Sequence, residues 1–228
     1  MFKNILTTSI FAVIINSTWV LPAYADLTSE IHALQTSWAQ ANYVLKGDVQ
    51  INAFENLIKQ AEATTNNYSD KAESWIWLGI IQSTYAGKAG PLDALSYAKA
   101  AKVSLEKAMN IDASALNGSA YASLGTLYSK VPGWPLGFGD DDKASAFLKK
   151  AVEVNPKGID SNYFYADYLL EEDKYQAARK YLLIAQAAPE RHDRPLADKG
   201  RQQEISTLLK KVNEELEYDK TAEDEDLY

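Results

Sequence analysis

The stretch VPGWPLGFGDDDKA, residues 131–144, holds the residue types that most often grip a ligand: three glycines, two prolines, two aromatics and three consecutive aspartates. A phosphate cradle needs Gly-x-x-x-x-Gly-Lys followed by Ser or Thr. Here Lys143 is followed by Ala144, and no such string occurs in the chain. A dinucleotide fingerprint needs a third glycine where Asp142 stands, and a strand before it. A calcium loop alternates its acidic ligands around a glycine and closes on Glu, which three adjacent aspartates do not do. The aspartates suit a simpler role, since Asp140 or Asp141 can cap a helix over 141–153, and acids in its first turn oppose the helix dipole. Trp134 and Phe138 are then left to two roles, a local apolar plug or a wall over a neighbouring groove.

Other reactive constellations are missing. The chain has no cysteine, so thiol nucleophiles, thiolate metal ligands and disulfides are excluded. His32 and His192 stand at opposite ends and fit no zinc spacing. No Gly-x-Ser-x-Gly elbow is present, and the paired acids Glu171 and Glu172 end a helix, where solvated surface is the simplest reading. Basic residues do not interleave with aromatics into a nucleic-acid path. No catalytic, cofactor-binding or metal-ligating residues are therefore expected, and the chain is read as not an enzyme.

The N-terminus is organised for export. Lys3 precedes an apolar run from Ile5 to Val20, then Pro22 and the small-residue pattern Ala23-Tyr24-Ala25. That is the grammar of a signal peptide over 1–25, and the run is too broken by Thr, Ser and Asn for a membrane span. The expected mature product is periplasmic, with no later membrane-crossing segment. Of the formal charge of −8, most sits at the other end, where residues 214–228 carry eight acids against Lys220. Residues 219–228 read as an acidic disordered tail on a near-neutral body, which disfavours nucleic acid as a partner.

Between these ends, strand alternation is absent and helical spacing dominates, with an internal period. Ala144, Leu148, Ala151 and Pro156 repeat as Ala101, Leu105, Ala108 and Ala113, and again as Ala178, Leu182, Ala185 and Pro189. Each such helix follows another marked by a bulky residue and a small one four later: Trp75 with Gly79, Tyr121 with Gly125, Asn162 with Ala166. Residues four and seven apart share a helix face, and a small residue there lets a second helix approach. Helices are predicted at 27–45, 48–64, 70–86, 91–109, 115–129, 141–153, 160–172, 174–187 and 196–218, the last a cap. The expectation is an all-α stack of antiparallel helix pairs over residues 26–218.

These marks resemble the tetratricopeptide repeat, best of all in NYFYADYLLEEDKYQAARKYLLIA (162–185), where no insertion separates the two helices. A longer string, GWPLGFGDDDKASAFLKKAVEVNPKGIDSNYFYADYLLEE with RHDRPLADKGRQQEISTLLKKV, is similar to exported tetratricopeptide proteins associated with TRAP transporters. That resemblance implies a non-catalytic protein-binding scaffold whose partner is a periplasmic protein, such as a solute-binding protein. The other reading is a pocket for a small apolar or amphipathic solute, motivated by 14 Tyr and by Trp75 and Trp77, which stand two apart and cannot both face one helix. Groove positions on the first helices of the pairs would be Ile76, Ile80, Ala122, Thr126, Tyr163 and Asp167, with Trp134 and Phe138 at the edge.

Overall fold

A computed structural model describes residues 26–225; the signal peptide expected over 1–25 lies outside the described residues. Nine helices fill the described chain: α1 (Leu27–Tyr43), α2 (Gly47–Asn67), α3 (Ala72–Ala86), α4 (Pro91–Asp112), α5 (Ala115–Lys130), α6 (Asp141–Val154), α7 (Ile159–Glu171), α8 (Tyr175–Gln186) and α9 (Pro195–Glu225). No strand occurs among the described residues. The predicted helices match these within a few residues, except that α9 runs on to Glu225, past its expected end at 218.

Local chemistry explains the starts. Asp26 caps α1 by accepting from the Ser29 N–H at 2.8 Å, and Asp140 caps α6 by accepting from the Lys143 N–H at 3.0 Å. Pro91 opens α4, where its missing N–H costs nothing. The start of α5 departs from the pattern, because Leu116, Asn117 and Gly118 all have positive φ, 49°, 55° and 73°. A side chain at Gly118 would also collide with Val154, so only glycine fits that step.

The helices pack as four pairs, α1 with α2, α3 with α4, α5 with α6 and α7 with α8, and α9 caps the stack against α8. The fold is thus a tetratricopeptide-like all-α stack of antiparallel pairs. The repeated marks are its seams: Leu105, Leu148 and Leu182 are fully buried, as are Ala101, Ala144 and Ala178. Gly79 faces Leu105 and Gly125 faces Leu148, so the small mark of each first helix receives the leucine of its own second helix. Asn162, which stands where the other repeats carry an aromatic, donates from Nδ2 to the carbonyl of Pro156 at 3.1 Å. Trp75 donates to the carbonyl of Ser69 at 3.0 Å, also six residues upstream. Both side chains pin the turn that precedes their helix, which is why one replaces the other.

First helices α1, α3, α5 and α7 contact one another in sequence along the stack. The stack does not stay open. The beginning of α9 reaches back to α1, and Leu196 and Ala197 join the apolar cluster of the first repeat, beside Trp38 and Trp77. The Tyr43 ring packs on Gly200, and its hydroxyl donates to Glu204 Oε2 at 3.3 Å.

A cavity on the concave face

Closure of α9 onto α1 turns the concave face into a cavity of about 1020 Å³. One wall is α3, through Trp77, Ile80 and Thr84; the next is α5, through Ala122 and Thr126; then α7, through Asp160 and Phe164. Pro91, Ala94, Leu95 and Ala98 of α4 and Leu136 of the 131–140 loop line the far end. From Trp77 to Gly87 the wall runs about 15 Å, at 1.5 Å per helical residue.

Most hydroxyls in the wall are occupied. Ser83 and Thr84 both donate to the Ile80 carbonyl, Thr126 donates to that of Ala122, and Ser119 to that of Leu116. Side chains bonded to their own helix present mainly carbon to the cavity. The middle of the cavity is therefore apolar in effect.

One end is charged. Asp160, at the start of α7, accepts from Arg201 Nε at 2.9 Å and from Arg191 Nη1 at 2.7 Å. Arg191 also meets Asp198, and Arg201 meets Glu204 at 2.6 Å. Burial pushes the Asp160 carboxyl up, but Arg201, Arg191 and Arg194 outweigh it and hold the group well below the ordinary carboxylate range. Burial likewise favours loss of charge at Arg201, yet Asp160 beside it raises its affinity for the proton. The Arg201 guanidinium lies over the rings of Tyr163 at 4.2 Å and Phe164 at 4.6 Å. Burial lifts the Tyr163 hydroxyl to about 12, against the pull of Arg201.

The positions singled out from sequence fall in several places. Ile80, Ala122 and Thr126 line the cavity. Ile76 does not: it is fully buried in the core, and Trp77 takes the cavity position instead. Tyr163 is half-buried under Arg201, leaving the wall to Phe164, and Asp167 pairs with Lys130 at 2.8 Å, so that Lys130 is the lining residue. The corrections at Ile76 and Tyr163 are shifts of one residue, a rotation of about 100° on a helix. Trp134 is 89% exposed, so it neither plugs the fold nor walls the cavity; Leu136, two residues on, does line it. Phe138 is half-buried, edge-on to Tyr128 at 5.7 Å.

The arginine cluster was missed in the sequence because Arg-His-Asp-Arg-Pro reads as an exposed loop. Its signal was present: Arg191, Arg194 and Arg201 recur around Pro195, the N-terminus of a helix, where surplus cations need partners brought from elsewhere.

No family model matches the chain, and no curated protein matches it. Among solved structures it is similar to a thermophilic TPR protein of Thermus thermophilus, with a TM-score of 0.51 and 13% identity over 80% of this chain and 100% of that one. That likeness is one of backbone architecture and shows the fold, a tetratricopeptide-like helical repeat.

Proposed function

We propose that the chain is a non-catalytic, exported binding protein that holds a small apolar or amphipathic solute in the cavity of its concave face. The observation that carries this reading is the closure of α9 on α1, which converts an open groove into a cavity of about 1020 Å³. That volume sits at the upper end of small-molecule sites, roughly 300–1,000 Å³. An open tetratricopeptide groove suits a peptide; a bounded one with carbon-faced walls suits a compact solute. Native mass spectrometry of protein purified without detergent tests this. A bound mass that leaves on unfolding is expected, and an empty protein that takes up nothing from a panel of amphiphiles would count against the reading.

A second reading, a scaffold for a periplasmic protein partner, is favoured by one different observation. Trp134 and Leu136 stand 89% and 73% exposed on a loop at the cavity rim. Exposed aromatics of this kind anchor protein interfaces. The two readings are compatible in an accessory to a TRAP-type transport system, where a solute-binding protein would dock at the rim. Pull-down from an envelope extract, with the wild type against Trp134→Ala/Leu136→Ala, separates them. A partner lost in the double variant supports docking; equal retention by both, or no partner at all, removes the rim from consideration.

A further inference from the structure

The 131–140 connection is an addition to the repeat, since the last pair joins α7 to α8 with residues 172–174 alone. The added segment is built, not slack. The Leu136 and Gly137 N–H groups both donate to the Gly133 carbonyl at 3.1 Å, and the Gly139 N–H donates to that of Pro132 at 3.0 Å. A Cβ at Gly139 would run into the Val131 carbonyl, and one at Gly137 into that of Pro132, so this neck closes only with glycine. Phe138 anchors it, edge-on to Tyr128 and with the Lys102 ammonium 5.7 Å from its ring centroid. Beyond the neck stand Trp134, Pro135 and Leu136, all exposed, Trp134 at 89% and Leu136 at 73%. From Val131 to Gly139 no side chain is charged, and the Trp134 indole carries the only polar side-chain group. Leu136 also lines the cavity, with Val131 and Pro132, so one side chain touches both the enclosed space and the outside.

We propose that this tip docks in the interface of a lipid bilayer, with Trp134 and Leu136 entering it, and that the cavity exchanges its apolar solute there. The exchange rests on the cavity reading; the docking contact does not. A bilayer tolerates only backbone whose polar groups are already met. Pro132 and Pro135 have no N–H, and those of Leu136, Gly137 and Gly139 are satisfied within the loop. Tryptophan favours the membrane–water boundary, where its ring is apolar and its N–H meets head groups. A stable protein interface buries about 800 Å² on each partner, an area that Trp134, Pro135 and Leu136 do not supply. Charge gives the tip no pull toward an anionic surface. Lys130 at one end is held by Asp167 and Glu171, Asp140 at the other by Lys143, and Asp141 and Asp142 stand exposed beyond it. The lipid surface it fits is therefore zwitterionic.

The test titrates the full exported chain with sucrose-loaded vesicles of phosphatidylcholine, with or without phosphatidylglycerol, up to millimolar lipid. Sedimentation reads binding, and quenching of Trp emission by brominated phosphatidylcholine reads insertion. Reversible binding to phosphatidylcholine is expected, no stronger when phosphatidylglycerol is present, with quenching in the wild type that Trp134→Ala lacks. Trp134→Ala should lower the partition coefficient by at least about tenfold, the scale of returning one large apolar side chain to water. Leu136→Ala, which keeps the indole as reporter, should lower it by less. Circular dichroism and melting check that both variants fold. A wild type that neither sediments with vesicles nor is quenched overturns the docking and leaves the cavity reading to native mass spectrometry. Binding that Trp134→Ala does not weaken, or that needs phosphatidylglycerol, puts the contact elsewhere and overturns it as well. A protein captured through Trp134 by a chain that ignores vesicles makes the tip a protein-docking site instead. Docking through Trp134 in a chain that native mass spectrometry finds empty keeps the contact and overturns the exchange.

Discussion

Arg201 donates from Nε to Asp160 Oδ1 at 2.9 Å, across 41 residues of chain, and so ties the cap helix to the start of α7. Arg201 is itself almost wholly buried, with 8% of its side chain accessible. Replacing Asp160 by Asn removes the shared counter-charge of two arginines. Breaking a buried pair from one side leaves an uncompensated charge, so Asp160→Asn is expected to cost about 3 kcal/mol. Urea unfolding at pH 7 measures it, and a loss well under 1 kcal/mol would show the network to be dispensable.

The same carboxylate sets an acid limit. In an unfolded chain an Asp titrates near about 3.9, whereas in the folded chain the arginines hold Asp160 below that value. Its contribution is present above the unfolded value and is lost as pH falls through the folded one. Stability should decline below about pH 4 in the wild type and more shallowly in Asp160→Asn. Parallel declines from pH 5 to pH 3 would assign acid sensitivity to other carboxylates. Part of Asp160, 34% of its side chain, is accessible as cavity wall, so added salt should reduce the difference.

Gly79 and Gly125 are expected to tolerate no methyl group. A Cβ at Gly79 would stand 2.5 Å from Leu105 Cγ, and one at Gly125 2.6 Å from Leu148 Cγ, both leucines being fully buried. Alanine gains about 1 kcal/mol of helix propensity over glycine, while overpacking costs about 1–3 kcal/mol. The net expectation is a lowered melting temperature for Gly79→Ala and Gly125→Ala. A rise in either would mean that the seam has room to spare.

Gly200→Ala tests the closure. A Cβ there would run into the Tyr43 ring, so the contact between α9 and α1 must widen. Destabilisation of about 1–3 kcal/mol is expected, with faster amide exchange in α1 and at the beginning of α9 but not in α5 or α6. Uniform exchange across the chain would show that closure is not a local event.

Trp134→Ala should leave the fold alone. With 89% of the residue exposed, the change in stability should stay within about 0.5 kcal/mol. A fall of several kcal/mol by thermal melting would mean that the indole is packed in solution.

How far the sequence reached can be traced residue by residue. Ala144, Leu148 and Ala151 repeat in phase because each pair must bury the same seam, and a period of that kind survives without any knowledge of neighbours. The same reasoning placed Trp75 and Trp77 on different faces, and the structure sends Trp75 to a turn and Trp77 to the cavity. It failed where one residue of register decides, as at Ile76 and Tyr163, because several adjacent apolar or aromatic residues satisfy a helical stripe equally well. It also could not see Asp160 meeting Arg191 and Arg201, since contacts 31 and 41 residues apart leave no periodic trace. Leu116 carries no local mark of left-handed backbone either, whereas Gly118 adopts it freely and Asn117 is of the non-glycine type that adopts it most readily.

A repeat array normally behaves as a ladder: each unit touches only its neighbours, and rungs can be added or removed at modest cost. Because α9 returns to α1 and seats Gly200 on Tyr43, this array is a ring instead. Its circumference is fixed by the number of repeats, and inserting one more would prise the first helix from the last. The size of what it can enclose is therefore written into a count of helix pairs, and evolution could retune the walls far more easily than the volume.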